Sequence, residues 1–178
     1  ILMPLRAKVE DRTMVFEEMV VGEELPELKI VFDEELQGRF LVAIKEENPW
    51  YFSNSPWGGP ITFHPLIDDS PMVAAMQRYQ YPFGFVHAKQ ETEFINPLPL
   101  GKPASITTKV ADKYVKRGKG YIVIESLIVD EDGMEIMRTR NHAMIDDERV
   151  REVSKCGLIH VPVSITEKIK TGETREGR

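Results

Sequence analysis

The sequence predicts an α+β fold in which an antiparallel sheet wraps around a central buried helix. Short strand-like segments separated by turns follow one another from Phe85 to Ile145. They are preceded by an apolar segment of helical character, residues 65–80, that has few charges and must be buried. Consecutive hairpins give antiparallel strands, and such a sheet needs an apolar layer to cover one face.

A strand followed by a first helix is predicted ahead of these elements. Apolar residues alternate up to Phe32, which is the pattern of a strand. Asp33 then has the character of a helix N-cap, and apolar residues recur at helical spacing after it. The helix is predicted from Asp33 to Glu46, because the residue before Pro49 avoids the helical region.

The later elements are a buried helix and four strands. Pro71 lies inside the apolar segment, either in the first turn of the helix after a Ser70 cap or at a kink. The run from Tyr121 to Val129 is apolar on both faces, which predicts a strand in the middle of the sheet. The four strands are predicted at 85–95, 104–116, 121–130 and 134–145.

The 178 residues predict one domain, at 16–145. Residues 1–15 are a lead, and 146–178 form a charged tail. An apolar island in the tail, Cys156 to Ile165, is expected to dock on the domain or on a partner chain.

Composition excludes several classes of function. A net charge of −6 argues against nucleic acid as the main partner. One cysteine and four scattered histidines predict no disulfide and no metal site. No apolar run is long enough to cross a bilayer and no signal peptide is recognised, so we expect no membrane partner and a cytoplasmic location.

Two segments resemble one known family. They are "ENPWYFSNSPWGGPI" and "VHAKQETEFINPLPLGKPASITTKVADKYVKRGKGYIVIESLIVDEDGMEI". In this order they resemble the MaoC-like dehydratases, which include (R)-specific enoyl-CoA hydratases, and most closely the branch related to the N-terminal dehydratase region of fatty-acid synthases. The resemblance covers roughly Phe16 to Ile145. It implies the hot-dog fold and a hydro-lyase acting on acyl thioesters of coenzyme A or acyl carrier protein, with no further cofactor.

The active motif of that family is Asp, any residue, Asn, Pro, any residue, His. The matching positions are Glu46, Asn48, Pro49 and Tyr51, so Glu replaces Asp and Tyr replaces His. A tyrosine phenol has a pKa of about 10, so at neutral pH it donates a hydrogen bond and cannot act as a base as imidazole does. His64, at the start of the buried helix, is a candidate for the missing imidazole. The catalytic candidates are therefore Glu46, Asn48, Tyr51 and His64.

Other candidates would bind the substrate. The resemblance implies that the glycine-rich segment just before the buried helix, residues 58–63, holds the thioester oxygen; this segment is called the crossing. The two Trp residues would form a wall of the acyl pocket or part of the dimer interface. Basic residues at a hairpin and on the last strand would meet the phosphates of coenzyme A, although a charged hairpin tip and a solvated face are the default explanations for them. The oxyanion and pocket candidates are Gly58, Gly59, Ile61, Trp50 and Trp57; the phosphate candidates are Lys116, Arg117, Lys119, Arg138 and Arg140.

Three functions remain open. The first is an enoyl-thioester hydratase or 3-hydroxyacyl-thioester dehydratase. The second is a substrate-binding subunit that pairs with a catalytic relative. The third is a thioesterase using Asp68 or Asp69, although helix capping is the favoured account of these two residues. Because a single hot-dog domain leaves its sheet edges unpaired, we expect a homodimer or a heterodimer with a related subunit.

Overall fold

A computed structural model describes residues 12–68, 70–80 and 85–145. The strands are β1 (Arg12–Thr13), β2 (Glu24–Val31), β3 (Tyr79–Gln80), β4 (Val86–Phe94), β5 (Pro103–Lys116), β6 (Lys119–Asp130) and β7 (Glu135–Ile145). The helices are α1 (Glu34–Ile44), α2 (His64–Asp68) and α3 (Ser70–Met76), with a 3-10 helix at Pro49–Tyr51.

The main sheet has five antiparallel strands in the order β2-β5-β6-β7-β4. The strand that was predicted to be central, β6, is central. The edges of the sheet are β2 and β4, and β4 pairs with β7 rather than with the strand that follows it in the chain. The predicted antiparallel sheet, covered on one face by apolar helical residues, is therefore confirmed.

The first helix begins as predicted and ends two residues earlier. Asp33 is its N-cap and accepts a 2.8 Å hydrogen bond from the amide of Leu36. At the other end Lys45 adopts a left-handed conformation with φ 58°, and its N–H bonds to the carbonyls of Leu41 and Val42. This left-handed residue stops the helix and turns the chain into the loop that follows.

The predicted buried helix is two short helices, α2 and α3. Pro71 lies in the first turn of α3, where a missing N–H costs least. Ile67 of α2 and Ala74 of α3 pack on the sheet with Ile106 and Ile128, in one of two apolar clusters.

A row of hydroxyl side chains lies between the two apolar clusters, on the sheet face covered by the helices. Thr92, Thr139, Ser126 and Thr108 face one another across four strands. The Thr108 and Ser126 hydroxyls are 2.8 Å apart, and those of Thr92 and Thr139 are 3.3 Å apart. Because each hydroxyl has a neighbour, the row can be buried without unpaired polar groups.

The second apolar cluster includes part of the predicted lead. Met14 and Met19 are buried there against Tyr79, so the packed domain begins before Phe16. The tail prediction, including docking of Cys156 to Ile165, lies outside the described residues. Within the described ranges, no helix combines the length and apolar character needed to span a membrane.

Gly120 permits the close approach of the Phe16 ring to β6. A Cβ at this position would lie 2.6 Å from Cγ of Phe16, so Gly120→Ala should displace the ring. We expect a loss of about 1–3 kcal/mol in the free energy of unfolding, measured by urea denaturation. Gly38→Ala is the control: it adds a methyl group to α1 where no atom lies within 4 Å, and should stabilise by about 0.5–1 kcal/mol. An unchanged stability for Gly120→Ala would contradict this packing.

Candidate functional site

The family motif forms a compact capped turn after α1. The Glu46 Oε1 atom accepts hydrogen bonds from the amides of Glu47 and Asn48, at 3.0 and 2.8 Å. The Asn48 side chain caps the 3-10 helix by accepting from the amide of Trp50 at 3.1 Å. Pro49 occupies the first helical position, where its fixed φ fits. One oxygen of Glu46 and the amide oxygen of Asn48 therefore hold the backbone in place.

Tyr51 and Glu46 lie close enough to influence each other. Burial raises the pKa of Tyr51 above its usual 10.0, and the Glu46 carboxylate raises it further. The phenol therefore keeps its proton at neutral pH. Glu46 Oε2 has no hydrogen-bond partner among the described residues. A carboxylate that can accept a proton and a phenol that keeps its proton thus flank the turn, at the positions that match Asp and His of the family motif.

A buried glutamine in α1 fixes this turn to the crossing that follows it. Gln37 is 1% exposed. Its Nε2 donates to the carbonyls of Tyr51 and Ile61, at 2.8 and 3.1 Å. Its Oε1 accepts from the amide of Phe63 at 2.7 Å. One side chain thus satisfies three backbone groups from two separate parts of the loop, and sets the distance between them.

The connection from β4 to β5 supports the crossing from the other side. The amide of Thr62 donates to the carbonyl of Leu98 at 2.7 Å, and Leu100 donates to Pro60 at 3.0 Å. Lys102, at the end of the connection, forms ion pairs of 2.7 Å with Asp130 and 2.6 Å with Asp132. These pairs tie the connection to the turn between β6 and β7.

Asp130 is the buried member of that cluster. Burial alone would raise the pKa of its carboxyl, but Lys102 and the amides of Met134 and Asp132 hold the pKa below its usual value. Asp130 therefore stays ionised in the folded chain. The crossing is held by hydrogen bonds on both sides, from α1 and from this connection.

His64 lies at the start of α2. Its ring packs edge-on against Phe94, with centroids 4.9 Å apart, and so faces the edge strand β4. Burial lowers the pKa of His64 below 6.5, which leaves the imidazole neutral near pH 7. The idea that His64 replaces the missing imidazole beside Glu46 stays a prediction that this orientation does not favour.

Asp68 lies one helical turn after His64 and also faces β4. Its Oδ1 accepts from the Thr92 hydroxyl at 3.1 Å, and its Oδ2 accepts from the Gln90 side chain. Asp68 therefore fastens α2 to β4. Asp69 lies outside the described residues.

Most backbone amides of the crossing already donate hydrogen bonds within the protein. Gly58 donates to Ser55 O at 3.2 Å, and the carbonyl of Gly59 accepts from the Ser55 amide and hydroxyl at 3.0 and 2.5 Å. Ile61 donates to Trp50 O at 2.9 Å. Gly58 has φ +93°, so glycine is needed there for the turn. The amides of Gly58 and Ile61 already donate hydrogen bonds, which leaves the Gly59 amide as the oxyanion candidate of the predicted set. An oxyanion role for this amide stays a prediction.

The two tryptophans lie together on the outer side of the loop. The Trp50 and Trp57 rings meet edge to face at 5.5 Å, and both are exposed. Phe63 fills the inner side, with ring centroids 5.0 Å from Tyr51 and 5.6 Å from Phe40. A wall of the acyl pocket and a subunit seam remain the two hypotheses for the tryptophans.

The basic candidates lie elsewhere. Arg138 and Arg140 line a groove of about 1180 Å³ on the sheet face opposite the helices. Arg140 pairs with Glu125 at 2.7 Å, and Arg138 pairs with Glu135. The hairpin residues Lys116, Arg117 and Lys119 lie at the far end of β5, roughly 40 Å along the strand from the loop. Binding of coenzyme A phosphates by either group stays a prediction.

Sequence reasoning missed Gln37, although the sequence contains a signal for it. Gln37 precedes Leu41 by four residues, which places both on one helix face, and these two are the buried residues of α1. A polar side chain on a buried face must find hydrogen-bond partners. That requirement points to nearby backbone, but the partners themselves emerge only from the fold.

Comparison with solved structures shows the same fold in hydratases and dehydratases. The R-hydratase PhaJ1 from Pseudomonas aeruginosa has a TM-score of 0.63 and 17% identity over 75% of this chain and 86% of that chain. The MaoC-like dehydratase from Rhodospirillum rubrum has a TM-score of 0.60 and 14% identity over 72% of this chain and 94% of that chain. The HadBC (3R-hydroxyacyl-ACP dehydratase) complex from Mycobacterium tuberculosis has a TM-score of 0.58 and 18% identity over 71% of this chain and 97% of that chain.

These likenesses show that the chain has the hot-dog fold of the MaoC-like dehydratases. At such identities they show the fold alone. No family model matches the chain, and no curated protein sequence does either.

Gln37→Ala should weaken the fold and loosen the loop. It leaves the carbonyls of Tyr51 and Ile61 and the amide of Phe63 without their partner, and each buried unpaired group costs about 1–3 kcal/mol. We expect the free energy of unfolding to fall by about 3 kcal/mol or more in urea. Arg39→Ala, on the exposed side of α1, is the control and should change it by about 0.5 kcal/mol or less. A similarly small change for Gln37→Ala would disprove the clamp.

His64 should make the fold less stable as the pH falls below neutrality. The unfolded chain binds a proton at His64 near pH 6.5, whereas the folded chain binds it only at lower pH. The stabilisation from His64 is therefore complete above the unfolded pKa and is lost as the pH falls toward the folded pKa. The free energy of unfolding should differ less between about pH 7.5 and about pH 5.5 in His64→Gln than in the wild type. The exposed His87→Gln is the control, and an unchanged difference in the His64 variant would refute this.

Proposed function

We propose that this chain is an acyl-thioester hydro-lyase. It would add water to a trans-2-enoyl thioester of coenzyme A or acyl carrier protein, or remove water from a 3-hydroxyacyl thioester. One observation supports this most directly: Glu46 and Tyr51 lie at the two ends of one capped turn that Gln37 fixes in place, at the motif positions of the hydratases that the sequence resembles.

The two side chains have complementary chemistry. Hydration needs a base for water, a proton for C2 and a donor to the thioester oxygen, where negative charge develops. In the proposed reaction Glu46 takes a proton from water while the water oxygen bonds to C3. The resulting carboxylic acid then delivers a proton to C2. Tyr51, which stays protonated, donates a hydrogen bond to the thioester oxygen.

The titles of the fold relatives support the substrate class. PhaJ1 is described as an R-hydratase and HadBC as a 3R-hydroxyacyl-ACP dehydratase. Both names concern water addition or removal, and the same hot-dog framework holds Glu46 and Tyr51 here. The proton transfers proposed for this chain use its own side chains and a substrate that brings its carrier with it.

A substrate-binding subunit is the second candidate. It is favoured by the absence of an imidazole beside Glu46 among the described residues, because His64 packs on Phe94 instead. HadBC is itself described as a complex. Thioesterase activity through Asp68 is disfavoured, because both of its carboxylate oxygens already accept hydrogen bonds. An engaged carboxylate is a weaker base and nucleophile than a free one.

Substitution of the pair tests the proposed reaction. Hydration of crotonyl and longer enoyl thioesters would be followed by the loss of the enoyl absorbance. Glu46→Gln should lower kcat by about a hundredfold, the usual order for losing a general base. Tyr51→Phe should lower it by a smaller factor, about tenfold, because only a hydrogen bond is lost. Glu47→Gln, its exposed neighbour, is the matched control and should keep full activity.

The wild-type protein gives the deciding result. Lack of turnover with every thioester, together with binding seen by quenching of tryptophan fluorescence, would favour the binding subunit. Release of free thiol without hydration would favour a thioesterase. Full activity in both Glu46→Gln and Tyr51→Phe would show that the reaction occurs elsewhere on the chain.

A further inference from the structure

The outer face of the sheet, opposite the helices, becomes aromatic and apolar at one end. Tyr121, Val123 and Glu125 alternate with buried residues along β6, so all three lie on this face. Tyr114 and Met144 face Tyr121 from the two neighbouring strands. The Tyr114 and Tyr121 rings are stacked, with centroids 4.9 Å apart. We call Tyr114, Tyr121 and Met144 the tyrosine patch.

A polar contact holds the tyrosine patch in one shape. The Tyr114 hydroxyl on β5 lies 3.2 Å from Nδ1 of His142 on β7. Tyr114 therefore spans β6 above Val123, which is only 3% exposed. The three side chains of the patch are themselves partly exposed. Because such a surface is already ordered, little conformational entropy is lost when another segment covers it.

The chain continues beyond the described residues right beside this patch. Ile145, the last described residue, follows Met144 directly and faces Gly120 near the start of β6. The tail then runs from Asp146 to Arg178. Its apolar segment, residues 158–165, has alternating apolar positions, which predict an extended segment with one apolar side. These positions are Ile159, Val161, Val163 and Ile165.

The basic tip of the β5–β6 hairpin lies at the same end of the sheet, since Ile145 faces Gly120. Lys116 and Arg117 at this tip are exposed, and neither forms an ion pair within the described part of the chain. The first residues of the tail, Asp146 to Glu148, are acidic. Opposite charges about 4 Å apart attract by about 1 kcal/mol even in water. They favour a path on which the tail turns back past the hairpin.

We propose that residues 158–165 fold back onto the tyrosine patch of the same chain, with their apolar side against the stacked rings. The intervening residues 146–157 can span up to about 40 Å. The patch covers three strands spaced about 4.8 Å apart, so the connection is long enough. Because both partners belong to one chain, the effective concentration is of roughly millimolar order. This favours the chain's own segment over a second copy at micromolar concentration.

Pro162 favours the face of the sheet over its edges as the docking place. A proline has no N–H group, so a segment with proline in its middle forms fewer hydrogen bonds to the edge of a sheet. Packing of apolar side chains on the tyrosine patch needs no such bonds. The contact does not depend on the proposed reaction, so the two can be tested separately.

A spin label on Cys156 tests the fold-back, because this is the only cysteine of the sequence. A nitroxide at Cys156 broadens the NMR signals of nearby backbone amides in the isotope-labelled full chain. We expect the strongest broadening around Tyr114, Tyr121 and Met144, with α1 and the loop after it unaffected.

Substitutions on both partners should release the segment. Ile159→Asp and Val161→Asp should each reduce the broadening at the patch by about tenfold, because a carboxylate would be buried against apolar side chains. Met144→Glu should have the same effect from the side of the sheet. His160→Ala, on the other side of the segment, is the matched control and should leave the broadening unchanged.

The unsubstituted chain is sufficient to overturn the proposal if any variant fails to fold. Strongest broadening on β2 or on α1, or uniform weak broadening over the whole surface, would contradict it. So would broadening that persists in both aspartate variants. A mixture of isotope-labelled chains without nitroxide and unlabelled chains with it should show no broadening at the patch. Broadening there would assign the contact to a second copy and overturn the proposal too.

Discussion

The candidate site depends on three hydrogen bonds made by one buried amide, that of Gln37. They join α1 to the carbonyls of Tyr51 and Ile61 and to the amide of Phe63. Without them the turn and the crossing would be separate loops, each with unpaired buried backbone groups. Gln37 of α1 thus fixes the position of Tyr51 relative to Glu46.

The surrounding structure reinforces that constraint. The connection between β4 and β5 binds the other side of the crossing, and Lys102 anchors the connection to Asp130 and Asp132. Under the helices, the row of hydroxyls meets the Asp68 carboxylate through Thr92. Unpaired polar groups would destabilise a core. Here each polar group of this row has a partner, so together they link α2 to the strands of the sheet.

Local patterns predicted most of the fold and only part of the site. Alternation and turn signals gave the strand segments and the central place of β6, and the Asp33 cap gave the start of α1. The resemblance to the family motif pointed to Glu46 and Tyr51 as catalytic candidates, and their catalytic role stays a prediction. The packing of His64 on Phe94 was not predictable, because it depends on which strand lies beside α2. For the same reason the partners of Gln37 required the complete topology.

We propose that an acyl thioester binds at the loop held by Gln37. Backbone amide chemical shifts, recorded by NMR while a non-hydrolysable acyl-thioester analogue is added, test this most directly. The largest changes are expected on Glu46 to His64 and on the neighbouring connection around Leu98. Changes concentrated instead on the outer face of the sheet, around Arg138 and Arg140, with the loop amides unmoved, would contradict it.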